Sequence, residues 1–134
     1  MVERMKICLF SGSYLPTIGG AEVMAHELSA GLSKLGHDVS LITSSKPKTN
    51  SYDLFGASIH VVPAIHLPGL KLISYAPSAI LSTTQLSSKC DVLHSIMAFS
   101  AGLVSSFNGI LMNKPSLTTV VGGDLCDYWE TTGK

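Results

Sequence analysis

Residues 5–43 read MKICLFSGSYLPTIGGAEVMAHELSAGLSKLGHDVSLIT, and this run decides the fold. Met5 to Phe10 is a short apolar stretch closed by Ser11-Gly12-Ser13, the form of a buried strand. A loop with Pro16 and the adjacent glycines Gly19 and Gly20 follows. From Ala21 the apolar residues Ala21, Met24, Ala25, Leu28, Leu32 and Leu35 recur at helical spacing, and Gly36 stands where a helix ends. Val39 to Thr43 is a second strand. Strand, helix and strand in these proportions predict a right-handed crossover between parallel strands.

Working outward, residues 44 to 57 are rich in Ser, Lys and Asn and predict an exposed loop, with a strand after it from Ser58 to Val62. Pro63, Pro68 and Gly69 keep the next segment irregular. A helix rich in small residues is expected between Tyr75 and Ser88, a strand over Asp91 to His94, a helix over Ala98 to Met112, and a strand over Ser116 to Val121. Beyond it, Asp124 to Lys134 reads as a loop entering a helix. Five strands alternating with helices predict an α/β fold, a Rossmann-like doubly wound parallel sheet. Ligands of such sheets sit at the carboxyl ends of the strands, so the residues just after each strand are the ones to examine.

The chain has 134 residues, about one domain's worth, with 46% hydrophobic residues and nine basic side chains against nine acidic ones. A net charge of zero excludes a polycationic nucleic-acid binder, and the apolar composition excludes disorder. Charged residues are only 13%, about half the usual share of ~25%, which implies a surface made to meet a partner. Cys8, Cys90 and Cys126 are odd in number, far apart and without CxxC spacing, so neither a disulfide framework nor a zinc site is expected and a reducing compartment fits. Ile7 to Phe10 is too short for a signal-peptide core or a membrane span.

Several chemistries fail on spacing. No GxGxxG follows the first strand, no acid closes the second, and no GK[ST] follows Gly12, so neither a dinucleotide fingerprint nor a phosphate-binding Walker loop is present. Ala98-Phe99-Ser100-Ala101-Gly102 follows a strand and opens a helix, as a hydrolase nucleophile elbow does. That triad needs a histidine after the serine, and the last histidine here is His94. His60 and His66 lack a carboxylate or thiolate at ligand spacing, so no metal site is expected. Gly19 and Gly20 at the mouth of a helix are the most informative pair. They let the backbone approach a ligand, and the free N–H groups with the positive dipole end favour a phosphate.

Tyr14-Leu15-Pro16-Thr17-Ile18-Gly19-Gly20-Ala21-Glu22, then a helix, then Leu35-Gly36-His37-Asp38-Val39-Ser40-Leu41-Ile42-Thr43, resembles the opening of family 4 (group 1) glycosyltransferases of the GT-B fold. Asp91-Val92-Leu93-His94 is similar to that family's D-V-V-H. Thr119-Val120-Val121-Gly122-Gly123-Asp124-Leu125 is similar to its T-V-H-G-x-D-L.

The resemblance implies two Rossmann-like domains facing across a cleft, with residues 1–134 forming the N-terminal, acceptor-side domain and a C-terminal nucleotide-sugar-binding domain absent from this chain. It implies a retaining transferase that moves a sugar from a nucleotide-sugar to a sugar or lipid-linked acceptor without a metal or other cofactor. Gly19 and Gly20 would bind the donor phosphate, His94 and Asp124 would be catalytic, and Tyr14, Glu22, Gly122 and Gly123 would bind the acceptor. A cytoplasmic enzyme is implied, and this domain alone should not catalyse. The uncharged runs 72 to 88 and 95 to 113 resemble segments that lie near the membrane in members acting on acceptors such as phosphatidylinositol, although core helices are the preferred reading of them.

Two positions depart from the pattern. Val121 stands where many members have His, and Ile96 where a second His often follows D-V-V-H. A valine cannot donate a hydrogen bond. That role falls to Asp124 or to the N–H groups of Gly122 and Gly123, or this branch works without it. The alternative to an enzyme is a Rossmann-like interaction module that keeps the scaffold without the reaction.

Overall fold

The computed structural model describes residues 3–15, 18–44, 51–62, 77, 80–81, 83–86 and 89–122. In chain order the elements are β1 (Lys6–Ser11), α1 (Gly20–Lys34), β2 (Asp38–Thr43), β3 (Ser51–Leu54), β4 (Ala57–Val61), β5 (Val92–Ile96), α2 (Ser100–Met112) and β6 (Ser116–Thr119). Residues 80, 81 and 83–86 are also helical, within the helix expected over 75 to 88. The strands form one six-stranded sheet in the order β3-β4-β2-β1-β5-β6. Every pairing is parallel except that of β3 with β4.

Both faces of the sheet are covered, and the central strand β1 is accordingly buried from Ile7 to Ser11. In β1 the two-residue period of a strand sends Cys8 and Phe10 to one face and Ile7 and Leu9 to the other. Cys8 and Phe10 join Ile42, Leu93, Ala101 and Val104 in a buried cluster under α2. Ile7 and Leu9 join Val39, Leu41, Ile59 and Ala25 under α1, with Leu28 and Leu32 packed against them. Cys8 and Cys90 are free thiols in the α2-side cluster, where cysteine behaves as a small apolar residue.

Helix α1 ends as its sequence predicts. Gly36 has φ +89°, its N–H donates to Ser33 O at 3.0 Å, and the His37 N–H donates to Leu32 O at 3.2 Å. This pair of bonds around a left-handed glycine satisfies the last carbonyls of the helix. Helix α2 lies close on β6 because a glycine faces the strand: a Cβ at Gly109 would stand 2.8 Å from Ser116 Oγ.

The sheet differs from the expected one in two respects. Residues 51–54 lie within the expected loop of 44 to 57, yet they form β3, an antiparallel edge strand, so the sheet has six strands and is not purely parallel. A two-residue turn makes the hairpin, with φ +51° at Phe55 and +84° at Gly56, the signs that match strand twist. Ser58 Oγ donates to Asp53 Oδ1 at 2.8 Å across the pair. Polar residues are tolerated there because an edge strand wets one side. Second, β5 runs on to Ile96, so His94 is the middle residue of its strand rather than the last.

Candidate functional site

The strand order reverses between β1 and β5, since β2 and β4 extend to one side and β5 and β6 to the other. In sheets of this kind ligands bind at the carboxyl ends of the two strands flanking the reversal, here beyond the last pair, Ser11 and Ile96. Three connections meet there. Tyr14 and Leu15 after β1, Ile96 and Met97 at the end of β5, and Val121 after β6 all belong to the apolar cluster on the α1 side. The segments carrying the three sequence motifs thus pack against one apolar cluster.

The loop after β1 is stitched by its own hydroxyls. Ser11 Oγ donates to Ser13 O at 2.5 Å, and Ser44 Oγ, just beyond β2, donates to Gly12 O at 2.5 Å. Ser13 Oγ donates to the Glu22 carboxylate. Tyr14 is turned inward and only 1% exposed, with its hydroxyl 3.0 Å from His26 Nδ1. It braces the loop from below. The His26 ring also meets the Phe55 ring edge-on, with centroids 5.1 Å apart, tying the β3–β4 turn to the same support.

The two glycines are not equivalent. Gly19 is the N-cap of α1 with extended backbone, and a Cβ on it would stand 2.5 Å from Glu22 Oε2. Its missing side chain makes room for that carboxylate. Gly20 is the first helical residue, and nothing lies within 4 Å of where its Cβ would be. The Val23 N–H is bonded to Gly19 O at 3.0 Å, whereas the N–H groups of Gly20, Ala21 and Glu22 precede the first intrahelical acceptor. An open glycine beside free N–H groups suits an approaching anion. Glu22 is largely buried, held back by Ser13, and already balances part of the dipole.

His94 points to the same face of β5 as Val92 and Ile96. Its Nε2 lies 2.8 Å from Thr119 Oγ1, across the β5–β6 pair. Half-burial pushes its pKa below the ordinary histidine value, which favours the neutral ring near pH 7. Gly122 is exposed, with open space around its Cβ direction, and Val121 packs half-buried in the α1-side cluster. Gly123 and Asp124 lie outside the described residues, as does His66. Among the described residues no three His, Cys, Asp or Glu side chains are grouped as metal ligands, and no helix is long and apolar enough to cross a membrane.

Sequence reasoning did not single out Met97, which has φ +81° directly after β5. Its N–H donates to Thr119 O at 3.0 Å, and its carbonyl accepts the Gly102 N–H at 3.1 Å. A Cβ at Gly102 would stand 3.2 Å from that carbonyl, so the only sequence signal of the sharp turn is a glycine five residues on. Such a conformation costs about 1–3 kcal/mol for a residue with a side chain. The apex of this strand-to-helix elbow is therefore a thioether, and Ser100 lies beyond it in α2. The nucleophile of a hydrolase elbow has no counterpart here.

The sequence profile of Glycosyltransferase Family 4 matches residues 18–125, which include the α1 start, β5 and the segment after β6. The chain belongs to this family. Among curated proteins the family chain is similar to alpha-monoglucosyldiacylglycerol synthase of Acholeplasma laidlawii, with 35% identity over 101 residues, covering 73% of this chain and 25% of that protein. Among solved structures it is similar to the calicheamicin glycosyltransferase CalG4, at TM-score 0.66 and 13% identity, covering 98% of this chain and 36% of that one. It is also similar to the C-terminal domain of a Pyrococcus furiosus hydrogenase, at TM-score 0.59 and 11% identity, covering 88% and 94% of the two chains. The two structural likenesses share the fold. This family 4 chain thus spans about a quarter of the length of its curated relative and about a third of CalG4.

Proposed function

We propose that this chain is the N-terminal, acceptor-side domain of a retaining glycosyltransferase that moves a sugar from a nucleotide-sugar to a lipid-linked acceptor. The observation that carries the reading is the convergence of the three motif segments at the strand-order reversal, with the open start of α1 on one side and His94 on the other. Gly19 and Gly20 let the donor diphosphate approach the free N–H groups of α1, which stabilise its growing negative charge as the sugar leaves. His94 and Asp124 act at the reacting hydroxyl, and Tyr14, Glu22, Gly122 and Gly123 shape the acceptor side, Tyr14 by holding the loop. The nucleotide is bound by a C-terminal domain outside this chain, and no metal takes part.

The family membership supports sugar transfer, and the name of the Acholeplasma relative supports a lipid acceptor. So does the outer face of α2. Leu103, Phe107 and Ile110 are 58%, 53% and 84% exposed, and no charged residue interrupts Val92 to Asn113. A helix on the rim of a soluble α/β fold ordinarily turns polar residues outward. The reading is of a cytoplasmic enzyme that associates peripherally with the membrane face carrying its acceptor.

The test is a transfer assay on the full-length protein with a panel of nucleotide-sugars and diacylglycerol-type acceptors. Sugar transfer with retained anomeric configuration is expected. Failure of every nucleotide-sugar to bind in a direct titration would overturn the reading.

A further inference from the structure

Thr119 ends β6 and faces His94 across a parallel pair whose register sets His94 opposite Leu117 and Ile96 opposite Thr119. The hydroxyl therefore reaches back diagonally, and the 2.8 Å contact is to Nε2. Nδ1 makes no hydrogen bond among the described residues. Thr119 is itself held in place by its backbone, because its carbonyl accepts the N–H of Met97 at the strained turn after β5. A β-branched residue is stiff at its first side-chain torsion, so the hydroxyl has few other places to go. Val121, two residues on, packs with the α1-side cluster, leaving His94 the only imidazole on β5 and β6.

We infer that Thr119 is a positioning residue for His94: its hydroxyl accepts the Nε2–H, which leaves the Nδ1 lone pair as the ring atom offered to a hydrogen-bond donor. In a neutral imidazole one nitrogen donates and the other accepts; a hydroxyl can take either role, and the inferred role, acceptor, is what makes Nδ1 the basic nitrogen. Half-burial keeps the ring neutral, and so keeps that lone pair available. The inference rests on the reading of His94 as a residue of the acceptor side, where the donor offered to Nδ1 would be the hydroxyl of the incoming sugar or lipid. The hydrogen bond that one ring nitrogen makes is the usual way the state of the other, and the orientation of the ring, are set.

The experiment is nitrogen NMR of the full-length protein with labelled histidine, the His94 signals being assigned by their loss in His94→Gln. In the wild type at neutral pH, Nε2 is expected to resonate as a protonated nitrogen and Nδ1 as a bare one. Thr119→Val should replace this with the averaged signals of two exchanging tautomers, and Thr119→Ser should restore the single form. A protonated Nδ1 in the wild type, or an unchanged ring spectrum in Thr119→Val, would overturn the inference. The wild-type spectrum decides on its own if the valine variant does not fold. No substrate enters the measurement, so its failure is separate from failure of the nucleotide-sugar titration.

Discussion

Gly19 and Glu22 compete for one volume: a methyl group on Gly19 would stand 2.5 Å from Glu22 Oε2, the carboxylate that Ser13 holds against the start of α1. Gly19→Ala should push that carboxylate off its serine and loosen the loop. The backbone is extended, so the cost comes from the clash rather than from φ. We expect a loss of about 1 kcal/mol, the scale of one hydrogen bond and a weakened cap, read as a lower melting temperature.

Gly20 should behave in the opposite way. Its Cβ direction is empty, so Gly20→Val is expected to leave the melting temperature nearly unchanged while abolishing the proposed sugar transfer by the full-length protein. Unchanged turnover in a folded variant would remove the phosphate role from this helix start.

Gly109 tests the seating of α2 on β6. A Cβ there meets Ser116 Oγ at 2.8 Å, Ser116 Cβ at 2.9 Å and the Lys114 carbonyl at 3.1 Å, and two of these atoms cannot swing away. Gly109→Ala should destabilise the domain by roughly 1–3 kcal/mol, as overpacking does, despite alanine's better helix propensity. A chemical-denaturation midpoint at or above that of the wild type would contradict the packing described.

Asn108 is fully buried in α2, and among the described residues neither its amide oxygen nor its amide nitrogen has a hydrogen-bond partner. Replacing an unsatisfied buried amide with an apolar side chain of similar size removes its desolvation penalty. Asn108→Leu should therefore raise stability by about 1–2 kcal/mol, measured by denaturant unfolding.

Burial lowers the pKa of both His60 and His94, with Asp53 partly opposing the shift at His60. The unfolded chain, with histidines near about 6.5, then binds more protons than the folded one in the window just below that value. The contribution of these two residues is present above the unfolded pKa and is lost as pH falls through the folded ones. Stability should decline between about pH 7 and about pH 5, and the double variant His60→Gln, His94→Gln should show a shallower decline.

How much of this was legible in the chain differs from element to element. The central strands and α1 were readable because their signals are local: a short apolar run, a helical repeat, a glycine at the helix end. The strand at 51–54 was not, since its hydrogen bonds come from β4 and its edge position lets Ser and Asp stand where a central strand would need apolar residues. The candidate site divides in the same way. The Gly19-Gly20 pair could be placed at a helix mouth from residue types alone. The different jobs of those two glycines could not, because the carboxylate beside one of them is set by Ser13 in another part of the loop.

The order of residues along the chain, then, carries the α/β class, the parallel crossover at its start, the glycine pair at a helix mouth and the family, because each depends on neighbours within a turn or two or on motifs in succession. Tertiary structure decided that Tyr14 faces inward to His26, that Met97 takes the strained turn after β5, and that Thr119 holds His94 by its Nε2 edge. Each of these pairs residues on different elements. Their contact depends on strand register and helix seating, and those are settled only when the whole sheet packs.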